Sequence, residues 1–279
     1  MPIHDQGYRR YGGTRSAIGT AWRVMTRAGV MSIISKRPFI ALMLLAWAPF
    51  VVRAVQIYVA ANFQQASFLQ PKGETFREFL DQQGTILFLV TVYVGAGLVA
   101  NDRRANALQL YLSKPMTRAE YIAGKMAILF LFLAFVSFAP AMMLLLVQTI
   151  FAGSFTFVRN NLYLLPAITL LSLAQVLLAS TTMLALSSLS KSSRFVGVMY
   201  AGLYFFTTAL FQAIRGITHQ STFAWLSPAA TLEVVGDIIF RLQPRYDLPP
   251  AIAAIVIVVL IAGSLFILDR RVRGVEIVT

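Results

Sequence analysis

Six stretches of this chain stay apolar for about twenty residues or more, and the polar residues bunch between them. They run roughly from Phe39 to Ala60, Gly84 to Ala100, Gly124 to Ala152, Leu162 to Leu189, Phe195 to Ile214 and Ala251 to Leu268. An α-helix rises about 1.5 Å per residue, so about 20 apolar residues cross the roughly 30 Å of bilayer hydrocarbon. Blocks of this length are too long for core strands or amphipathic helices, and the pattern predicts an all-α, polytopic membrane protein with six transmembrane helices. The second block is short and the third and fourth are long, a mismatch expected to be absorbed by tilt or interfacial extension.

The segments outside the spans carry their own periodicity. Residues 14 to 34 lack proline, and Ile18, Trp22, Met25 and Gly29 recur at helical spacing with Arg23 and Arg27 opposite. This predicts an amphipathic helix on the membrane surface, with Trp22 at the headgroups and the arginines on anionic lipid; the plainer reading is a basic leader that only sets topology. Residues 1–38 are thus expected to be a leader, and 39–279 a single six-span domain. In the loop from Asn101 to Lys125, Asn101 or Asp102 is placed to cap a short helix whose Ala105, Leu108 and Leu112 share a face. Pro115 disfavours the helical conformation at Lys114 and stops it. Thr117, three residues before Glu120, forms a capping box that opens the next helix. Near the end of the chain, Ser227 followed by Pro228 predicts another helix start, with Leu232, Val235 and Ile239 as its apolar stripe. It reads as a short helix dipping into the outer leaflet before the sixth span.

Composition agrees with the bilayer as solvent. Hydrophobic residues make up 58% of the 279 and charged residues 13%, with a mean hydropathy of +0.71, whereas soluble domains carry about 25% charged residues. The formal charge of +13 would suggest nucleic acid in a soluble protein, but its placement gives it another meaning. Of the 24 Lys and Arg, 17 fall in the leader, the 101–125 loop, the 191–194 turn and the C-terminal tail. The positive-inside rule assigns those segments, and both termini, to the cytoplasmic side of a plasma membrane, the inner membrane of a bacterium. No nucleic-acid partner is then needed. The first span follows a basic leader and exceeds the apolar core of a cleavable signal, so it is expected to be a retained anchor. The absence of cysteine excludes disulfides, thiolate metal sites and a cysteine nucleophile.

The 101–125 loop is the most informative segment. A short helix held between two spans is suited to receive a push from a soluble partner, with Leu108 and Tyr111 as anchors and Arg103, Arg104, Lys114 and Arg118 supplying charge. An amphipathic linker lying on lipid fits the same residues. Here the chain resembles the permease subunits of ABC type-2 transporters, a six-span family with an amphipathic helix before the first span. Leu108, Leu112, Pro115, Arg118, Glu120, Gly124 and Lys125 match the run that leads into the family's third span, while Asn106 and Ala107 replace a common Gly-Thr pair. The resemblance implies a coupling helix here (Arg103, Arg104, Leu108, Tyr111, Leu112, Pro115, Arg118, Glu120) that docks on a separate cytoplasmic ATPase. It also implies an assembly of two such ATPases with this chain and a second permease, either another copy or a paralogue. Lys191 and Arg194, in a serine-rich turn, become a second, smaller contact, with a solvated turn as the alternative. The 215–250 segment resembles the family's external re-entrant region. Tyr93 in span two and Tyr204, Phe205 and Phe206 in span five become candidates to line a pathway.

No catalytic role is expected of the chain itself. Its only Gly-Lys pair, Gly124 and Lys125, has Ala119 where a P-loop needs glycine and Met126 where it needs Ser or Thr. ATP and Mg would belong to the partner, and no cofactor or metal is expected in this chain. Glu233 and Asp237, four apart, read as a hydrated polar edge more readily than as an acid/base pair, and His219 as an interfacial residue. Arg53, the one strongly charged residue well inside a span, is either functional or snorkels outward. A secondary carrier would need carboxylates near the middle of a span, and none is found there. A membrane assembly or sensor protein remains compatible with the same topology.

Overall fold

The computed structural model describes residues 19–63, 65, 70–107, 116–151 and 156–272. Among these residues the chain is helical without strands, and six helices are long and apolar enough to cross a membrane, the makeup of a multi-pass membrane protein.

Helix α1 (Ala21–Ile34) precedes the first span, α2 (Arg37–Asn62). Met25 and Gly29 do share a face, but that face lies on protein. Gly124 of the third span sits against Met25 Sδ and the Trp22 carbonyl, and a Cβ there would lie 3.0 and 3.2 Å from them. Thr26 Oγ1 donates to the Gly124 carbonyl at 3.2 Å, and Gly29 abuts Ile128. Two glycines let the backbones approach, as at small-residue contacts in membranes. Ile18 and the rest of residues 14–18 lie outside the described residues.

The second span begins eleven residues earlier than its apolar run. Helix α3 (Gly73–Gly95) starts among charges, and a short turn leads to α4 (Ala100–Arg104). The physical reason is one-sidedness. Phe76, Phe79, Leu80, Gln83 and Leu87 are buried at helical spacing, so the helix continues beneath its polar face although no uninterrupted apolar run marks it.

The third span is broken where one helix is expected. It divides at Ser137 into α5 (Arg118–Val136) and α6 (Phe138–Phe151). Pro140 has no N–H for the Val136 carbonyl four residues back, and its ring crowds that carbonyl. Gln83 Nε2 donates to the Val136 carbonyl instead, at 3.1 Å, and to Ala46 O at 3.2 Å in α2, beside that helix's own Pro49. One fully buried amide thus serves two proline-weakened spans. A five-residue helix, α7 (Thr156–Asn160), leads to the fourth span, α8 (Leu164–Leu189).

The fifth span is α9 (Ser193–Thr218), capped by Ser192 and ended by His219 in the left-handed region at φ 54°. A 3-10 turn (Thr222–Leu226) joins it to α10 (Pro228–Ile239), and the sixth span is α11 (Pro250–Arg271). Two large cores divide the bundle, beside a smaller one of Phe211, Ala224, Ala230, Val234, Leu248 and Ala253. One gathers Val99, Ala100, Tyr121 and Met183 with Ile33, Leu268 and Val272, at the end that carries the basic loops. The other packs Phe76, Phe79 and Leu80 with Leu144, Leu164 and Phe240, at the opposite end.

Candidate functional site

At the basic end, the capping box expected from Thr117 and Glu120 is formed. Thr117 N donates to Glu120 Oε2 at 2.8 Å, and Glu120 N donates to Thr117 Oγ1 at 3.2 Å. Asp102 does not cap a helix. The N-cap of α4 is Val99 with no side-chain bond, and Asp102 Oδ2 instead pairs with Lys125 Nζ at 2.7 Å and accepts from the Tyr121 hydroxyl at 2.8 Å. The ammonium of Lys125 also lies 5.5 Å from the Tyr121 ring centre. These contacts join the loop's first arm to the start of α5.

The loop is also joined to the fourth span. Ser187 Oγ accepts from the backbone of Val99 and Ala100 at 3.2 and 3.0 Å and donates to Ala96 O at 2.9 Å. Arg103 donates to the Ser188 carbonyl. Ser187 and Ser188 are buried, so serines that read as plain loop chemistry satisfy the turn that follows α3. Lys191 and Arg194 lie just beyond on the exposed surface, as do Arg104 and Arg118. The helix expected from Arg103 to Ser113 is not continuous from its start. Helix α4 ends at Arg104, and Asn106 turns into the left-handed region at φ 52°, a conformation asparagine tolerates. Leu108, Tyr111, Leu112 and Pro115 lie outside the described residues.

At the opposite end the structure assembles a charge cluster that the apolar runs conceal. Arg77, which falls between the first two apolar runs, is on α3 with its side chain 1% exposed. It pairs with Asp81 one turn on and with Asp237 Oδ1 at 3.1 Å, and it donates to the Glu233 carbonyl at 2.9 Å. Gly236 leaves room for that guanidinium, since a Cβ there would meet it. Arg245 reaches in from the loop after α10, with Asp81 Oδ2 at 2.8 Å, Asp237 Oδ1 at 3.6 Å and Glu233 Oε2 at 4.0 Å. Asp237 is therefore a buried ion-pair partner and not a hydrated edge. The fully buried face of α10 is Thr231, Val234 and Asp237, while Leu232, Val235 and Ile239 are half-buried. Ser227 caps this helix as expected, accepting from Ala230 N at 3.3 Å.

Glu233 is the least compensated member. Burial raises its pKa, the Asp81 carboxylate adds to the rise, and Tyr246, Arg245 and Arg77 only partly oppose them. Tyr246 is also raised, by burial and then by the charge of Glu233. Arg53 is not isolated in its span, since its guanidinium lies 3.2 Å from Glu78 Oε2 on the extended α3.

A cavity of about 130 Å³ opens beside this cluster, between α3, α8, α9, α10 and α11. Asp81 and Glu233 are its charged lining, and Gln175, Thr182, Tyr200 and Tyr204 bring polar atoms into leucine-rich walls. Of the residues expected above to line a pathway, Tyr204 lines this cavity. Phe205 packs edge-on against Phe88 and is exposed outward. Tyr93 lines a different recess, near α1 and Lys125 at the basic end, and stacks on Phe39, so the structure does not bring it together with Tyr204. Sequence reasoning missed Arg77, Asp81 and Arg245. The one signal available was the Arg77–Asp81 spacing of four residues on a segment with apolar residues at helical intervals. Neither protein-family models nor curated proteins give a match to this chain.

Proposed function

We propose that this chain is the membrane-spanning permease half of an ATP-binding-cassette exporter of the type-2 kind. It holds no nucleotide itself and works with two cytoplasmic ATPase subunits, which bind ATP and Mg, and with a second permease copy or paralogue. The basic end faces the cytoplasm of the inner membrane. The observation that carries the reading is how the 96–103 arm of the loop is fastened. Asp102 ties it to α5 through Lys125 and Tyr121, while Arg103 and the 96–100 turn tie it to α8 through Ser187 and Ser188. A force applied to that segment reaches three spans at once, which is what a coupling element requires. ATP binding would close the ATPases, move this segment and rock the permeases between two accesses, with differential contacts in the two states supplying the bias.

The test is affinity capture of the tagged chain from its native membranes in mild detergent, against a Leu108→Asp, Tyr111→Ala variant. A nucleotide-binding chain should accompany the wild type and be lost from the variant. Recovery of none from either, even after crosslinking, would remove the reading's main support. One observation favours a second reading, an ion-coupled carrier. Asp81 and Glu233 place carboxylates on a cavity between spans, as proton coupling needs. Transport by the purified chain alone, driven by a pH gradient, would favour that reading.

A further inference from the structure

Gly84 lies inside a long helix, where glycine costs about 1 kcal/mol relative to alanine. Its φ is not in the left-handed region, and a Cβ added to it would meet nothing within 4 Å. The other described helical glycines with such open space, Gly202, Gly216 and Gly263, are on the exposed surface, whereas Gly84 is half-buried. The space beside Gly84 is the cavity described above, so neither close packing nor backbone geometry accounts for the missing side chain. Keeping the cavity open does.

The volume and chemistry of that space restrict its contents. A dry cavity of about 150 Å³ lined by aliphatic and aromatic side chains holds one benzene molecule, and this one is of similar size, about 130 Å³. Leu87, Leu178 and Leu203 supply apolar wall, and Tyr200 and Tyr204 supply aromatic surface. Among the described residues no basic side chain lines it. Arg77 and Arg245 are engaged with Asp81 and Asp237, and the Glu233 carboxylate keeps a hydrogen bond from the Tyr246 hydroxyl and, as its nearest cation, Arg245 at 4.0 Å. A cation arriving through the cavity would meet a half-buried carboxylate with no cation closer than 4.0 Å, together with tyrosine rings whose faces attract positive charge.

We propose that this cavity is a binding site for a small organic cation, an amine carrying one ring-sized apolar group, with the ammonium at Glu233 and the apolar group beside Gly84. As a substrate site it deepens the transporter reading and rests on it. As a binding site it stands on the cavity alone.

The experiment is calorimetric titration of the purified full chain in nanodiscs with benzylamine and with its neutral counterpart, benzyl alcohol. Wild type should bind benzylamine at least tenfold more tightly than benzyl alcohol. Gly84→Leu should abolish binding of both, and Gly84→Ala should weaken both less. Glu233→Gln should bring the amine down to the affinity of the alcohol, and Glu233→Asp should restore part of the preference. Unfolding temperatures and monodispersity of each variant separate lost binding from lost fold. Equal affinities in wild type, binding that survives Gly84→Leu in a folded protein, or no binding of either compound would each overturn the proposal. No ATPase is present in the titration, so these outcomes are independent of the capture experiment, and either reading can fail without the other.

Discussion

Arg77 shows how much one side chain holds together. Its guanidinium joins α3 to α10 through Asp81, Asp237 and the Glu233 carbonyl, and its removal leaves the fully buried Asp237 with the Arg245 guanidinium at 3.6 Å as its nearest charge, beside a hydrogen bond from the Arg245 backbone N–H at 3.1 Å. Breaking one member of a buried charge network costs about 3–5 kcal/mol. Arg77→Met should therefore lower the unfolding temperature markedly, and the paired Arg77→Met, Asp237→Leu change should recover much of the loss. Gln83→Leu should cost about 1–3 kcal/mol by leaving the buried Val136 carbonyl without a donor, read in the same melting experiment. Glu233 has the opposite sign. Its pKa in the folded chain is raised above the ordinary 4.5, so the folded state binds the proton more tightly than the unfolded one. Folding is then penalised as pH rises from about 4.5 through the raised value, and the penalty is complete above it. Glu233→Gln should melt higher than wild type near neutral pH, and the advantage should vanish once the pH falls below about 4.5.

Among the elements, α1 is held by close approach and not by charge. Gly29 and Gly124 allow it to lie on α5, and Thr26 ties it to the Gly124 carbonyl. Gly124→Leu puts a side chain where the Trp22 carbonyl and Met25 sulfur now sit, and should release α1. Hydrogen exchange in Ala21–Ile34 should accelerate while α8 is unchanged; unaltered protection of α1 would mean that its contact with α5 is incidental. The helix itself and the face that includes Met25 and Gly29 were legible from spacing alone, because a 3.6-residue period needs no partner to be seen. What that face rests on was not legible, since a bilayer surface and a glycine-lined helix accept the same stripe. The caps at Thr117 and Ser227 were legible too, because each is settled within four residues of chain. The start of α3 was not. Glu74, Arg77, Glu78 and Asp81 interrupt the apolar run, and only ion pairing to Arg53 and to the α10 region makes their helix affordable near the bilayer.

For the whole molecule, the natural absence of cysteine makes the orientation directly testable. Single replacements at Lys191 and Gln220, exposed near opposite ends of α9, should react oppositely with a membrane-impermeant maleimide. Gln220→Cys should label in intact cells, and Lys191→Cys only once the membrane is opened; the reverse would invert the topology drawn from the lysines and arginines. The sequence by itself determined the number of spans, the caps at Thr117 and Ser227 and the asymmetry of basic charge. Those properties depend on chain length in hydrocarbon, on hydrogen bonds within a turn, and on counts along the chain. Only the tertiary structure decided that Arg77, Asp81, Asp237 and Arg245 form one buried cluster, that Gln83 serves the carbonyls beside two prolines, and that Gly84 borders a cavity. Residues 77 and 245 are far apart along the chain, and a charge on a helix gives no local sign of which distant charge neutralises it. That pairing is decided only when the spans pack and water leaves the space between them.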